Sequence, residues 1–291
     1  MRERIIEDRV FGLEGTIPPR PILSRASRSF DLLSARVEGA DAVYAAEGTV
    51  NHPPLVFLHG WGASHKFWKH AFSAFAPRWR CVAPDFPGFG LSGKPDRDYS
   101  IEALAAWVGS FLDALRLPKA TLVGHSMGGT IALLFALSRP DRVERLAVSN
   151  PVVEGRTAFS FRTRLLAAPG IRGLLFLASR MRRLRRWVTR NFSHVQALEE
   201  ELAEDVVRGT FRSAIGSLES LLSADLGPRL GGLSVPTLSI GTDRDLLVAP
   251  DQAEKVPAGT HAVIRDCGHI PMVERPAEFN RVLDDWLRES S

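Results

Sequence analysis

The sequence predicts an α/β protein: a mostly parallel, eight-stranded sheet with helices on both faces and an inserted helical cap. Three observations carry this reading. Short apolar runs alternate with segments of helical period. Most of these runs stop at Gly, His, Asp or Ser, residues that turn the chain and do chemistry. The alternation then breaks between about 154 and 232, where helical segments follow one another without a strand-like run.

Taken in order, residues 1–30 hold several Pro and Arg with weak periodicity and read as an extended N-terminal arm. Residues 34–38 and 41–46 flank Gly39 and read as a hairpin. The continuous apolar run 55–58 suits a strand buried on both faces. Residues 66–76 follow Ser64, an N-cap type, and read as a helix. Run 81–83 is the next strand. Residues 100–116 start at Ser100 and place Ile101, Leu104, Trp107, Val108, Phe111, Leu112 and Leu115 at helical spacing. Strand 121–123 leads into helix 127–138, and 146–148 is a further strand. After the cap come strands 237–240 and 262–264, then helix 276–288, opened by Pro276. The predicted organisation is an arm at 1–30, a core of 31–153 and 233–291, and a helical cap at 154–232.

Of 291 residues, 45% are hydrophobic and 24% charged, so an ordinary buried core is expected rather than a disordered or fibrous chain. The two cysteines, Cys81 and Cys267, make no disulfide framework and no metal-ligand spacing. A reducing compartment follows, and we expect a cytoplasmic protein. The first residues lack the apolar core of a signal peptide, and no uncharged run approaches the roughly 18 apolar residues of a membrane span. The net charge is only +4, but residues 155–190 hold ten arginines and no Asp or Glu. That segment carries +10, which leaves −6 for the rest of the chain.

The chemistry centres on Gly124-His125-Ser126-Met127-Gly128, where strand 121–123 meets helix 127–138. This is the G-x-S-x-G pattern of a nucleophile on a strand-to-helix turn. A serine hydroxyl is a weak nucleophile. It needs a base, an acid to orient that base, and donors for the oxyanion. His269, in Cys267-Gly268-His269-Ile270-Pro271, is the base candidate: it alone of eight histidines lies on a Gly-flanked loop at a late strand end. His65, His70 and His194 read as helix-surface residues, and His52 and His261 as loop or turn residues. Two carboxylates compete for the acid. Asp243 lies closer to the strand end, and Asp245 directly precedes Leu246-Leu247-Val248; Asp245 is favoured. The turn after Val148 offers Asn150 and no Asp. The oxyanion donors are expected to be the backbone N–H groups of Met127 and of Trp61, in the loop His59-Gly60-Trp61-Gly62.

These motifs resemble the α/β-hydrolase superfamily. The matching stretches are His59–Gly62, Asp85-Phe86-Pro87-Gly88-Phe89-Gly90-Leu91-Ser92, the elbow, the acid turn 241–248, and Gly268-His269 through Pro276. They span roughly 35–153 and 233–288, and their order Ser126, Asp245, His269 is the superfamily's order. The superfamily's Asp-x-Leu-Val pattern falls on Asp245. The resemblance gives the stretch 85–92 a structural place near the site entrance and no catalytic one. It implies a serine esterase or lipase, since Gly-His-Ser-Met-Gly-Gly is common there. Haloalkane dehalogenases and epoxide hydrolases carry Asp at the elbow. Proline iminopeptidases usually show Trp after the nucleophile, and carbon–carbon bond hydrolases often show Trp after the histidine, where this chain has Met127 and Ile270.

The expected substrate is a small-molecule or lipid-like acyl compound, with no cofactor and no metal. Lactone hydrolysis, perhydrolysis and carbon–carbon hydrolysis use the same residues, and a ligand-binding protein with little turnover is the reading from another class. Substrate choice is expected to lie in the cap. Its arginines suit either a solvated face opposite the acidic run 199–205 or a weak contact with an anionic membrane surface. Nucleic acid is not expected, because a basic run alone is a poor predictor.

Overall fold

The structure, a computed structural model, describes residues 30–159 and 208–289. Nearly all of the predicted arm, most of the cap with its arginine run, and His194 lie outside the described residues. Among the described residues eight strands form one sheet in the order β1-β2-β4-β3-β5-β6-β7-β8.

The predicted hairpin is β1 (Asp31–Val37) and β2 (Ala40–Glu47). Its loop residues Glu38 and Gly39 sit at φ 48° and 82°. Two positive φ angles in a two-residue loop give the type I′ turn, whose twist matches that of the strands. β2 then pairs antiparallel with β4 (Arg80–Pro84). From there the sheet is parallel through β3 (Pro54–Leu58), β5 (Ala120–His125), β6 (Val143–Ser149), β7 (Thr237–Thr242) and β8 (Thr260–Ile264). His261 thus lies in a strand, not in the loop expected from the sequence.

Strand alternation splits the core into two layers. Leu55 and Phe57 face one side, with Trp68, Phe72, Phe75, Phe279 and Trp286. Val56 and Leu58 face the other, with Trp107, Phe111, Ile131 and Leu134. The side chains of Leu55, Val56, Phe57 and Leu58 are fully buried, as the continuous apolar run requires. The first layer is covered by α1 (Lys69–Phe75) and by the last helix, and the second by α2 (Ile101–Ala114) and α3 (Met127–Ser138). In α3 every residue from Met127 to Ala136 is buried, so its surface is apolar all round.

The predicted helix at 66–76 opens as a 3₁₀ turn, His65–Trp68, before α1. Ser64 caps it by accepting the Lys66 N–H at 3.2 Å. Asp85 tightens that turn: one carboxylate oxygen accepts the His65 backbone N–H at 2.7 Å and its ring Nδ1–H at 2.9 Å. His65 is therefore 1% exposed and not the surface residue that helical spacing suggests.

Past β6 the described residues form α4 (Gly155–Ala158), α5 (Phe211–Ser223) and α6 (Gly227–Leu230), closed by a bridge between Glu154 and Asp225. Thr210 and Ser213 cap α5 reciprocally. The helix rests on the core by polar contacts: Ser213 Oγ donates to the Gly88 carbonyl at 2.9 Å, and Ser220 Oγ accepts the Ile101 N–H at 3.0 Å. The chain ends through α7 (Asp251–Glu254), α8 (Pro271–Glu274) and α9 (Pro276–Arg288). Buried Arg145 of β6 holds the end of α9, donating to the carbonyls of Leu287 (2.8 Å) and Trp286 (2.5 Å) while lying 3.8 Å from the Trp286 ring centroid.

Candidate active site

The site lies beyond the carboxyl ends of the parallel strands. At the end of β5, Ser126 adopts φ 51° and ψ −118°, a strained conformation for a residue with a side chain. Two backbone bonds fix it: Ser126 N–H donates to the Ser149 carbonyl, and Thr130 N–H donates to that of Ser126. The flanking glycines are required by close approach. A Cβ on Gly124 would collide with the Gly128 carbonyl, and one on Gly128 with the Leu58 carbonyl. Ser126 is 5% exposed, with the amino end of α3 behind it.

His269, on the loop after β8, places Nε2 3.0 Å from Ser126 Oγ and Nδ1 2.7 Å from Asp245 Oδ2. The loop is held on both sides by a residue that sequence reasoning missed. Glu274 accepts the Gly268 N–H at 2.7 Å and the Ile270 N–H at 3.0 Å. Its signal was a carboxylate in the first turn of a short helix right after the histidine.

Of the two competing carboxylates, Asp245 meets the histidine and Asp243 does not. Asp243 is exposed and accepts the Cys267 N–H at 3.3 Å, a turn role. Asp245 turns inward, its side chain fully covered. Oδ1 accepts the N–H groups of Leu247 (2.8 Å) and Val248 (2.9 Å). Burial opposes its ionisation, but electrostatic attraction to His269, the hydrogen bond to that ring and the two backbone donors outweigh it and hold the carboxyl below its usual range.

The loop His59–Gly62 borders the nucleophile: a Cβ on Gly60 would stand 3.3 Å from that of Ser126. His59 orients this loop. Its Nε2 accepts the Phe86 N–H at 3.0 Å, so Nδ1 carries the proton and donates to the Gly60 carbonyl at 2.8 Å. Fixing that carbonyl fixes the peptide plane whose opposite edge is the Trp61 N–H. Among the described residues, no protein acceptor is bonded to the N–H of Trp61 or of Met127, the first residue of α3. Trp61 is 38% exposed, and its Nε1–H donates to the Ala214 carbonyl in α5 at 2.9 Å.

His125 is a further part not assigned from the sequence. Its Nε2–H donates to the backbone carbonyl of His269 at 2.8 Å, with the rings 4.8 Å apart. Burial, together with the neighbouring imidazole, pushes its pKa down to about 3, so it is a neutral strut. Cys267, two residues from His269, is buried and its thiol is pushed up to about 12 by that burial, which makes it packing rather than a nucleophile. Among the described residues no group of three His, Cys, Asp or Glu is placed to hold a metal ion, and no helix is long and apolar enough to cross a membrane.

Comparison with known proteins agrees with this architecture. The model of the alpha/beta hydrolase fold family matches residues 53–276. A 3-oxoadipate enol-lactonase of Acinetobacter baylyi is 29% identical over 252 residues, covering 84% of this chain and 92% of the relative. A bacterial membrane phospholipase A superposes with a TM-score of 0.76 at 29% identity, over 89% of this chain and 86% of that one. The enol-lactonase of Burkholderia xenovorans gives 0.74 at 26% identity, over 87% and 99%. With that family model covering most of its length and its sheet carrying the same plan, the chain belongs to the α/β-hydrolase fold family and is an enzyme of that class.

Proposed function

We propose that this protein is a cofactor-independent serine hydrolase that cleaves a carboxylic ester through an acyl-enzyme intermediate. The observation that supports it best is the continuous chain of contacts from Ser126 Oγ through His269 to Asp245, at 3.0 and 2.7 Å. In this reading His269 Nε2 takes the Ser126 proton as Oγ attacks the acyl carbonyl. The N–H groups of Trp61 and Met127 receive the oxyanion. Asp245 stays ionised and balances the imidazolium. His269 then returns the proton to the leaving alkoxide, which departs as the alcohol. Water, deprotonated by His269, attacks the acyl-enzyme, and collapse of that intermediate releases the acid and restores Ser126.

The test is burst kinetics with p-nitrophenyl esters of graded chain length, beside labelling by a fluorophosphonate. A burst followed by steady turnover, lost together with labelling in Ser126→Ala, is the expected result. No burst and no labelling would favour a ligand-binding protein on the same fold.

Lactone hydrolysis is the second reading, favoured by the two enol-lactonases among the similar proteins. A lactone is an internal ester, so the steps are unchanged and the alcohol stays tethered to the released acid.

The same proposal puts the protein in the cytoplasm, with two unpaired cysteines, and gives substrate choice to a cap at 154–232. The ten arginines of 155–190 suit a weak contact with anionic lipid, in keeping with a lipid-like acyl substrate. Rates and binding that ignore added phosphatidylglycerol vesicles would remove the lipid contact and leave the ester chemistry untouched.

A further inference from the structure

The turn after β6 carries a residue that the ester mechanism does not use. Asn150 is 3% exposed and sits at φ 48°, a left-handed conformation that asparagine tolerates better than most side chains. Its backbone N–H donates to the Ile240 carbonyl of β7 at 2.9 Å. Its side-chain amide is oriented by its partners. Oδ1 accepts the Ser149 hydroxyl at 3.0 Å, which turns Nδ2 toward Thr242 Oγ1 (2.7 Å) and Asp245 Oδ2 (3.0 Å). The last contact matters most, because Oδ2 is also the oxygen that takes the His269 Nδ1–H.

From this geometry we infer that Asn150 is a positioning residue for the histidine–aspartate pair: its amide holds Asp245 Oδ2 from the side and shares that oxygen with His269. The carboxylate now has a donor for each direction in which it could swing. Leu247 and Val248 N–H groups fix Oδ1, and Asn150 and His269 fix Oδ2. The shared oxygen has a second effect. A donor on Oδ2 disperses the negative charge facing the imidazole, so the Asn150 amide moderates how strongly Asp245 stabilises imidazolium. Asn150 therefore acts on both the aim and the basicity of His269 without touching it. The residue earlier set aside because it is not an Asp is, in this inference, the partner of the Asp one strand away.

This inference rests on the serine-hydrolase reading, and the experiment separates the two. Asn150→Gly removes the amide while keeping a residue at ease at positive φ. Three changes are expected. The kcat for a p-nitrophenyl ester falls about tenfold at nearly constant KM, the rate equivalent of one charged hydrogen bond. The acid limb of kcat/KM moves to higher pH, because a less dispersed carboxylate favours protonated His269. The low-field proton resonance of His269 Nδ1–H moves further downfield, since Oδ2 then serves a single donor. A purely structural asparagine would lower Tm and leave kcat, limb and resonance in place, and that outcome overturns the inference. If Asn150→Gly does not fold, Asn150→Ser keeps a polar group on the turn but falls short of Asp245, and the same three readouts decide. If Ser126→Ala still hydrolyses the ester, the parent reading fails. If Ser126→Ala is inactive while the Asn150 variants match wild type, only the present inference fails.

Discussion

Trp61 donates its indole N–H to the backbone carbonyl of Ala214, 2.9 Å away and 153 residues on. The loop that borders Ser126 is thereby bonded to α5, a helix within the stretch 154–232 that is expected to form the cap. The Trp61→Phe variant keeps a flat ring and loses the bond. We expect kcat toward esters to fall roughly three- to tenfold with little change in KM, at a stability cost of about 1 kcal/mol. Steady-state kinetics beside urea unfolding checks this. Wild-type kcat at a lowered urea midpoint would mean that the tie serves packing alone.

The two carboxylates of the β7 turn make a direct comparison. Asp245→Asn keeps the shape but leaves His269 Nδ1 facing an amide, and a loss on the order of 10³–10⁴ in kcat is expected. Asp243→Asn removes an exposed charge and keeps an oxygen that can accept the Cys267 N–H, so activity should stay within about threefold. Both variants are assayed under single-turnover conditions. Equal losses would move the acid away from Asp245.

His125 predicts an acid sensitivity of folding. Its folded pKa is about 3, while an unfolded histidine titrates near 6.5. The unfolded chain therefore binds more protons throughout that interval, and stability falls as pH drops from about 6.5 toward 3. By pH 4.5 this group alone removes roughly 2–3 kcal/mol relative to pH 7.5. Denaturant midpoints at the two pH values measure the effect. In His125→Asn, which cannot take up the proton, the acid-induced loss should shrink by about that amount.

Arg145 predicts a purely structural phenotype. It joins β6 to the last carbonyls of α9 and stacks on Trp286. Arg145→Met keeps much of the volume and loses the donors, so we expect about 2–3 kcal/mol of destabilisation. Thermal unfolding should report a lower Tm while kcat at 25 °C is unchanged. A kcat loss without a Tm loss would contradict this.

Much of the fold was legible because its signals are local. The type I′ turn at Glu38-Gly39, the Ser100 cap and Pro276 at the start of α9 each act within a few residues of themselves. That Ser126, His269 and Asp245 come together was legible for the same reason, each lying on a turn of marked composition at a strand end. The illegible parts are set by distant contacts. His65 has surface spacing and a buried place because Asp85, twenty residues on, accepts a hydrogen bond from its ring. The antiparallel pairing of β2 with β4 depends on which sheet edge accepts the hairpin, and no run of residues encodes that. Asn150, His125 and Glu274 bond to other residues of the site, and such contacts leave no pattern in a single sequence.

Gly128 leaves no room for a side chain against the carbonyl of Leu58. Leu58 ends the strand that runs into His59-Gly60-Trp61, and Gly128 lies one residue beyond Met127. The two peptide groups proposed to receive the oxyanion thus hang from a main-chain-to-main-chain junction. The aperture between them is cut by the backbone itself, like the gap of a caliper with no pad between its jaws. Under the proposed ester chemistry, side chains around the site could change to fit new acyl groups while the spacing of those donors stays fixed.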